Sequence, residues 1–217
     1  MENESPILYY VDKEYLKYLH KEDYRVSVKF NNRPFAGIVT LVGDRKYIIP
    51  LTSQTTEERK NAGKNKRSSL ITTFVTETSG KEISNLLYNN MIPVNEQIIT
   101  ALEIDPETDT YESNEIRYLR KNWETIKKKA EKIFNQRYDI ESHNFNFLKK
   151  TCCDFKKLEK ALDRKKNRKE LTLKIEGVAS SVVFDDFAAP SFSETILPYF
   201  LRRRNLWIAK NAIFTNS

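Results

Sequence analysis

The chain has 217 residues, 39% of them hydrophobic with 12 Phe and 11 Tyr, which is enough to bury a core and excludes a wholly disordered chain. A net charge of +7 fits an anionic partner such as nucleic acid, and equally an ordinary solvated basic surface. No apolar run reaches the ~18 residues of a membrane span, the start Met1-Glu2-Asn3-Glu4 is acidic rather than signal-like, and the adjacent Cys152 and Cys153 make neither a disulfide framework nor a zinc site, so the expectation is a cytoplasmic protein with no membrane partner, metal or cofactor.

Residues 7–11 read as a short strand, and Asp12 as the N-cap of a helix through about Leu19 with Tyr15, Leu16 and Leu19 on one side. Residues 24–33 are a polar, basic loop. Phe35–Val42 and Tyr47–Leu51 read as two strands joined at Gly43-Asp44, with Pro50 ending the second strand or placing it at an edge. Residues 53–68 lack apolar periodicity and read as a loop with at most one helical turn; residues 69–76 return to a β-rich run that Gly80 breaks. Leu86–Tyr88 and Met91–Val94 look extended.

From Ser113 the period changes. Ile116, Leu119, Trp123, Ile126, Ala130, Ile133 and Phe134 recur at helical spacing, so they predict one amphipathic helix with a basic outer face. Leu148, Cys152, Phe155, Leu158 and Leu162 predict a second, after a break near residues 139–142. Strands followed by helices mean an α+β fold: a small, mostly antiparallel sheet or barrel with C-terminal helices packed on it. The charge run Lys165–Lys169 divides the chain into residues 1–169 and an extension, 170–217. In the extension Leu171–Ile175 alternates like a strand, Ser180–Phe187 resembles another, and Arg202-Arg203-Arg204 precedes a last helix around Trp207.

Several chemistries lack their residues. His20 and His143 stand in unrelated contexts and do not form a paired general acid and base. Neither a GxxxxGK[ST] loop nor a GxSxG elbow occurs. What remains is basic and hydroxyl chemistry around the first hairpin. Lys29, Asn31, Asn32 and Arg33 precede one strand, Thr52 and Ser53 follow the next, and Arg59, Lys60, Lys64, Lys66 and Arg67 come after. In such a hairpin the start of one strand and the end of the other share an edge. Arg33 is therefore expected beside Thr52 and Ser53, with guanidinium, hydroxyls and turn N–H groups offered to a phosphate. RNA carries its own nucleophile, the 2′-hydroxyl, so such a site can cleave it by holding the chain in line and stabilising charge on phosphorus. The plain alternative is that Thr52 and Ser53 form a local hydroxyl turn. Tyr24, Phe30 and Tyr111 are candidate stacking partners for bases, or core.

At these residues the sequence resembles the endoribonuclease toxins of type III toxin–antitoxin systems, the ToxN/AbiQ family. The match runs through Arg33–Val39, Lys46–Ser53, Lys66–Leu70, Asn89–Val94 and Cys152–Phe155, with Tyr9–Val11 and Tyr15–Leu19 at the start. The resemblance implies an SH3-like barrel of MazF type with added helices. It also implies metal-independent cleavage of an RNA substrate to 2′,3′-cyclic phosphate and 5′-hydroxyl ends, and inhibition by a small repeat RNA antitoxin that folds as a pseudoknot. A cyclic toxin–RNA assembly and a role in phage defence by abortive infection are implied as well. Arg33, Thr52, Ser53 and either Lys60 or Lys66 then become catalytic candidates. Lys29, Asn31, Asn32, Arg59, Lys64 and Arg67 become RNA-binding candidates. Two departures stand out: Arg33 occupies a position where lysine is usual, and Gln54-Thr55 replaces Pro-Lys. They leave open a non-catalytic RNA-binding protein on the same fold; a third reading is a protein-interaction module whose charge is incidental.

Overall fold

Asp12 begins the helical part of the fold as its residue type predicts. Its carboxylate accepts the Tyr15 N–H at 2.7 Å and starts α1, Lys13–Glu22. The structure, a computed structural model, describes residues 6–28, 36–105, 107 and 110–181. The strands are β1 (Leu8–Val11), β2 (Ala36–Val42), β3 (Arg45–Thr52), β4 (Thr72–Thr76), β5 (Glu82–Leu87), β6 (Ile92–Pro93) and β7 (Ile99–Ala101). They form one antiparallel sheet in the order β4-β5-β3-β2-β1-β7, with β6 also on β3. Gly43, at φ +62°, makes the turn between β2 and β3, where Val42 faces Arg45.

Pro50 does not end β3 or mark an edge. It is buried inside a central strand that runs on to Thr52. The reason is a change of partner. On one side β3 keeps β2, with Gly37 opposite Pro50. On the other it pairs with β6 at Tyr47 and Ile48, then with β5 at Leu51 and Thr52. Pro50 falls between these two pairings, where a missing N–H leaves no ladder bond broken.

The helices are α2 (Thr56–Asn61), α3 (Tyr111–Lys121), α4 (Trp123–Tyr138), α5 (Phe145–Thr151) and α6 (Phe155–Ser181). Each of the two long helices expected from periodicity is divided. Asn122 separates α3 from α4, and its side chain closes the end of α3 by donating to the Tyr118 carbonyl at 2.9 Å. The apolar phase continues across this break, so spacing alone does not reveal it. Cys152 caps the C-terminus of α5, and the chain bends at Cys152–Asp154 before α6 begins. The two cysteines therefore occupy a junction rather than one helix, both fully buried. Residues 171–175 are helical, not a strand, because α6 continues through the Lys165–Lys169 run of good helix formers. The chain divides into two units, Met1–Leu171 and Thr172–Ser217. The strand suggested over 180–187 begins inside α6, where Ser180 and Ser181 are helical, and the rest of it and the last helix around Trp207 lie outside the described residues.

The core of the first unit lies between the sheet and the helices. Tyr15, Leu16 and Leu19 of α1 meet Ile38, Ile48 and Ile49 of the sheet, and Leu119, Ile126, Ile133 and Leu158 close it from the helical side. Each such side chain contributes about 1.5–3 kcal/mol on full burial. Buried tyrosines keep a partner for the hydroxyl, as desolvation requires. Tyr15 donates to the Pro93 carbonyl at 2.7 Å, and Tyr47 donates to Glu159 at 2.7 Å. Phe134 stacks on Phe155 with ring centroids 5.7 Å apart, and both meet Tyr47 edge-on. Arg45 grips Asp163 of α6 with two parallel bonds of 2.8 and 3.0 Å, so β3 is fastened to α6 by charge as well as packing. Among the described residues no helix is long and apolar enough to cross a membrane.

Candidate active site

The site grows from the end of β3. Thr52 lies opposite Asn85 of β5, and Asn85 lies opposite Phe74 of β4. Directly opposed residues in antiparallel strands point to one face, so these three side chains form a row, with Thr52 and Phe74 about 10 Å apart at Cα. The chain after Thr52 turns back over this face. Thr52 Oγ1 accepts the Gln54 N–H at 3.3 Å, a local hydroxyl turn. That turn uses a lone pair and leaves the hydroxyl hydrogen to donate, so turn formation and phosphate binding are compatible at Thr52.

Thr55 then caps α2 reciprocally. Its hydroxyl accepts the Glu58 N–H at 3.2 Å, and the Glu58 carboxylate accepts the Thr55 N–H at 3.0 Å. Gly63, at φ +66°, ends the helix and donates its N–H to Lys60 O at 2.9 Å. The region expected as a loop thus contains a six-residue helix, stabilised by its caps rather than by an apolar face.

Gln54 is the hub of the arrangement. Its main-chain oxygen accepts from Arg67 Nη1 at 2.8 Å and Asn85 Nδ2 at 3.0 Å. Its side-chain Oε1 accepts from Arg59 Nη1 at 3.2 Å and Arg67 Nη2 at 3.3 Å. Arg59 also donates to Asn65 O at 2.9 Å. Asn85 Nδ2 reaches Glu82 at 2.9 Å, and the same Glu82 oxygen accepts the Thr56 N–H at 2.8 Å. Since both partners of Nδ2 are acceptors, the amide orientation is fixed, and the buried Asn85 Oδ1 has no partner among the described residues. Burial, with Arg59 close by, lowers the Arg67 pKa from its ordinary value, while Glu82 opposes the shift.

The expected site residues divide into three groups. Thr52 and Ser53 sit half-buried at the strand end, and Arg59 and Arg67 converge on the next residue. Lys60, Lys64 and Lys66 are exposed. Lys66 holds its ammonium 5.1 Å from the centroid of Phe74, at the far end of the Thr52 row. Arg33, Lys29, Asn31, Asn32 and Phe30 lie outside the described residues. The antiparallel register does place the start of β2 and the end of β3 at the same edge. Tyr24 is 78% exposed, whereas Tyr111 donates its hydroxyl to Ile83 O at 2.9 Å. His20 donates its Nδ1–H to Val26 O at 2.7 Å near the end of α1, and His143 is exposed on the α4–α5 connection.

Three participants escape the sequence reading. Gln54 stands out there only as a departure. Asn85 carries a usable signal, because asparagine is depleted in strand interiors and a buried one needs partners. Lys129 of α4 gives none, being one lysine among several. Its ammonium donates to Ser69 O at 2.8 Å, Thr72 O at 2.7 Å and Thr73 Oγ1 at 3.2 Å, and burial pushes its pKa down to about 8. It anchors the segment that carries Lys66 and Arg67 into β4.

Comparison with known proteins agrees with the resemblance read from the sequence. A curated relative, the endoribonuclease ToxN of Bacillus thuringiensis subsp. kurstaki, is 29% identical over 179 residues, covering 76% of this chain and 87% of the relative. A solved structure from a type III toxin–antitoxin system, described as showing selective toxin inhibition by a non-coding RNA pseudoknot, is 28% identical with a TM-score of 0.64 and covers 75% of this chain and 99% of its own. The lactococcal anti-phage endoribonuclease AbiQ is 27% identical with a TM-score of 0.61, at the same two coverages of 75% and 99%. The family described as Toxin ToxN, type III toxin-antitoxin system, matches residues 7–163, and this chain belongs to it.

Proposed function

We propose that the protein is an endoribonuclease toxin whose reaction takes place at Thr52 and Ser53. The observation that carries this reading is the hydroxyl pair at the end of β3, with Gln54 behind it held by two arginines and Asn85, in a chain of the ToxN family. The RNA 2′-hydroxyl attacks the adjacent phosphorus and the 5′-oxygen leaves. The strand ends as a 2′,3′-cyclic phosphate and a 5′-hydroxyl. One proton leaves the 2′-oxygen and one reaches the 5′-oxygen. Thr52 and Ser53 donate to the non-bridging oxygens and hold the phosphate in line, while Arg33 and Lys60 or Lys66 balance the charge that develops on it. Lysine can also exchange a proton, which arginine cannot do at neutral pH. Lys29, Asn31, Asn32 and Lys64 extend the contact along the strand. No step calls for a metal ion.

The rest is proposed from the family resemblance, in which the descriptions of the solved relatives support the RNA pseudoknot and the anti-phage role. Activity is restrained by a small repeat RNA that folds as a pseudoknot, in a cyclic toxin–RNA assembly acting in cytoplasmic phage defence. The sheet is read as an SH3-like barrel of MazF type, with residues 170–217 an extension beyond the toxin domain.

The test is incubation of purified protein with RNA in EDTA, followed by analysis of the ends. Cyclic phosphate and 5′-hydroxyl ends that disappear in Thr52→Ala and Ser53→Ala are expected. One observation favours a second reading: Arg59 and Arg67 are engaged with Gln54, where the family pattern has Pro-Lys. Tight, salt-sensitive binding of RNA without cleavage would establish a non-catalytic RNA-binding protein instead.

A further inference from the structure

We propose that Arg67, acting through Gln54, is a positioning residue that holds the Thr52-Ser53 turn in its reactive geometry, with Arg59 and Asn85 completing the clamp. This rests on the endoribonuclease reading above. It reassigns Arg59 and Arg67 from RNA contact to the support of the turn.

Four donor contacts converge on Gln54. Arg67 spans the main-chain and side-chain oxygens of that residue, so its planar fork fixes backbone and side chain together. Lysine has the charge but not the fork. Asn85 approaches the same main-chain oxygen from β5, and Arg59 approaches the side chain from α2. The turn is thus tied to a strand, a helix and the segment before β4. It cannot shift without breaking several bonds.

The arrangement brings two guanidinium groups together on one amide. That juxtaposition is electrostatically unfavourable, and it lowers the Arg67 pKa along with burial. A need for stability alone does not call for it. A need for rigidity does, since hydroxyls that must meet a phosphate in line lose about 10²-fold in rate for a displacement of about 1 Å. Where the family pattern has Pro-Lys, proline would stiffen the backbone by its ring. In this chain hydrogen bonds from Arg67, Arg59 and Asn85 do so.

The experiment compares wild type, Arg67→Lys, Arg67→Ala, Gln54→Ala and the double variant Arg67→Ala/Gln54→Ala by steady-state cleavage and by salt-dependent RNA binding. The expected result is a fall in kcat of about 10²-fold for Arg67→Lys and Gln54→Ala, with KM changed by less than about twofold. The double variant should lose less than the product of the two single losses, because both changes remove the bond from Arg67 Nη2 to Gln54 Oε1. The slope of log affinity against log salt should stay at the wild-type value. A slope reduced by about 0.7 per arginine, with KM raised and kcat kept, would mean direct phosphate contact and overturn the proposal. Additive losses, or no loss, would overturn it too. If Arg67→Ala does not fold by circular dichroism, Arg67→Lys and Gln54→Ala carry the comparison. A wild type that cleaves no RNA defeats the endoribonuclease reading and the clamp together. A wild type that cleaves beside variants that match it defeats the clamp alone.

Discussion

Gly37 and Ile49 approach so closely across the β2–β3 hairpin that a Cβ at position 37 would lie 2.3 Å from the Ile49 carbonyl oxygen. Real Cβ atoms do not approach backbone oxygen to that distance, and the obstacle is main chain rather than a movable side chain. Gly37→Ala should therefore force the two strands apart next to Pro50 and cost at least about 1–3 kcal/mol. Urea denaturation would show it as a lower midpoint. RNA cleavage should fall as well, because this pairing sets the strand two residues before Thr52.

Thr52→Val keeps the β-branched shape and removes the hydroxyl. A fall in kcat of about 10²–10³-fold is expected, the scale of losing one donor to a charged transition state. Stability should drop only by about 0.5–1.5 kcal/mol, for the lost contact with the Gln54 N–H. Thermal melting beside single-turnover cleavage separates the two effects. Equal rates for the variant and wild type would remove Thr52 from the reaction.

Asp23 governs an acid limb of stability. Burial alone would raise its pKa, but hydrogen bonds from the Arg25 side chain, the Asp154 N–H and the Arg25 N–H outweigh burial and hold it below the ordinary carboxylate value. The folded state thus binds this proton less tightly than the unfolded chain does. The stabilisation is complete above about pH 4 and is lost as pH falls through the folded value. Asp23→Asn should flatten that limb in urea titrations between about pH 5 and 2 and cost about 1–3 kcal/mol near neutrality. Glu115, raised by burial, contributes the opposite slope and should be unaffected by the change.

Lys129 acts at the other end of the pH scale. Its folded pKa of about 8 lies below the unfolded value of 10.5, so between the two the unfolded chain holds more protons and stability rises with pH. Deprotonation is chemically consistent with its surroundings. The neutral amine keeps two N–H groups for the Ser69 and Thr72 carbonyls, and its lone pair can accept from the Thr73 hydroxyl. Lys129→Met should abolish this rise and leave two carbonyls short of a donor, a loss of about 1–3 kcal/mol at pH 7. Urea midpoints at pH 7 and 9.5 would check both.

The hairpin of β2 and β3 is legible in the sequence because alternation and a Gly-Asp turn state it locally. So is α1, whose Asp12 cap and apolar face both hold. β7 is not, since three residues, Ile-Thr-Ala, carry no readable period. The break at Asn122 hides behind an apolar phase that continues through it, and the partner exchange at Pro50 depends on β5 and β6, far along the chain. The same division holds at the site. The Thr52-Ser53 turn is visible as residues, whereas the convergence on Gln54 joins positions 54, 59, 67 and 85 and exists only once the strands are paired.

The bend between α5 and α6 gives the molecule an internal reporter. Cys152 and Cys153 are fully buried there, and burial pushes the Cys152 thiol up to about 12 and raises Cys153 further. At neutral pH the reactive thiolate is therefore scarce as well as shielded, and alkylating reagents should leave the native protein unmodified. Modification then requires the junction to open. With Asp154 bonded to Asp23 and Cys153 to the Asn89 carbonyl, that opening must also release α1 and the segment before β6. The rate at which these thiols are labelled is thus a clock for the loosening of helices from sheet, and it can be read in the wild-type chain without adding a probe.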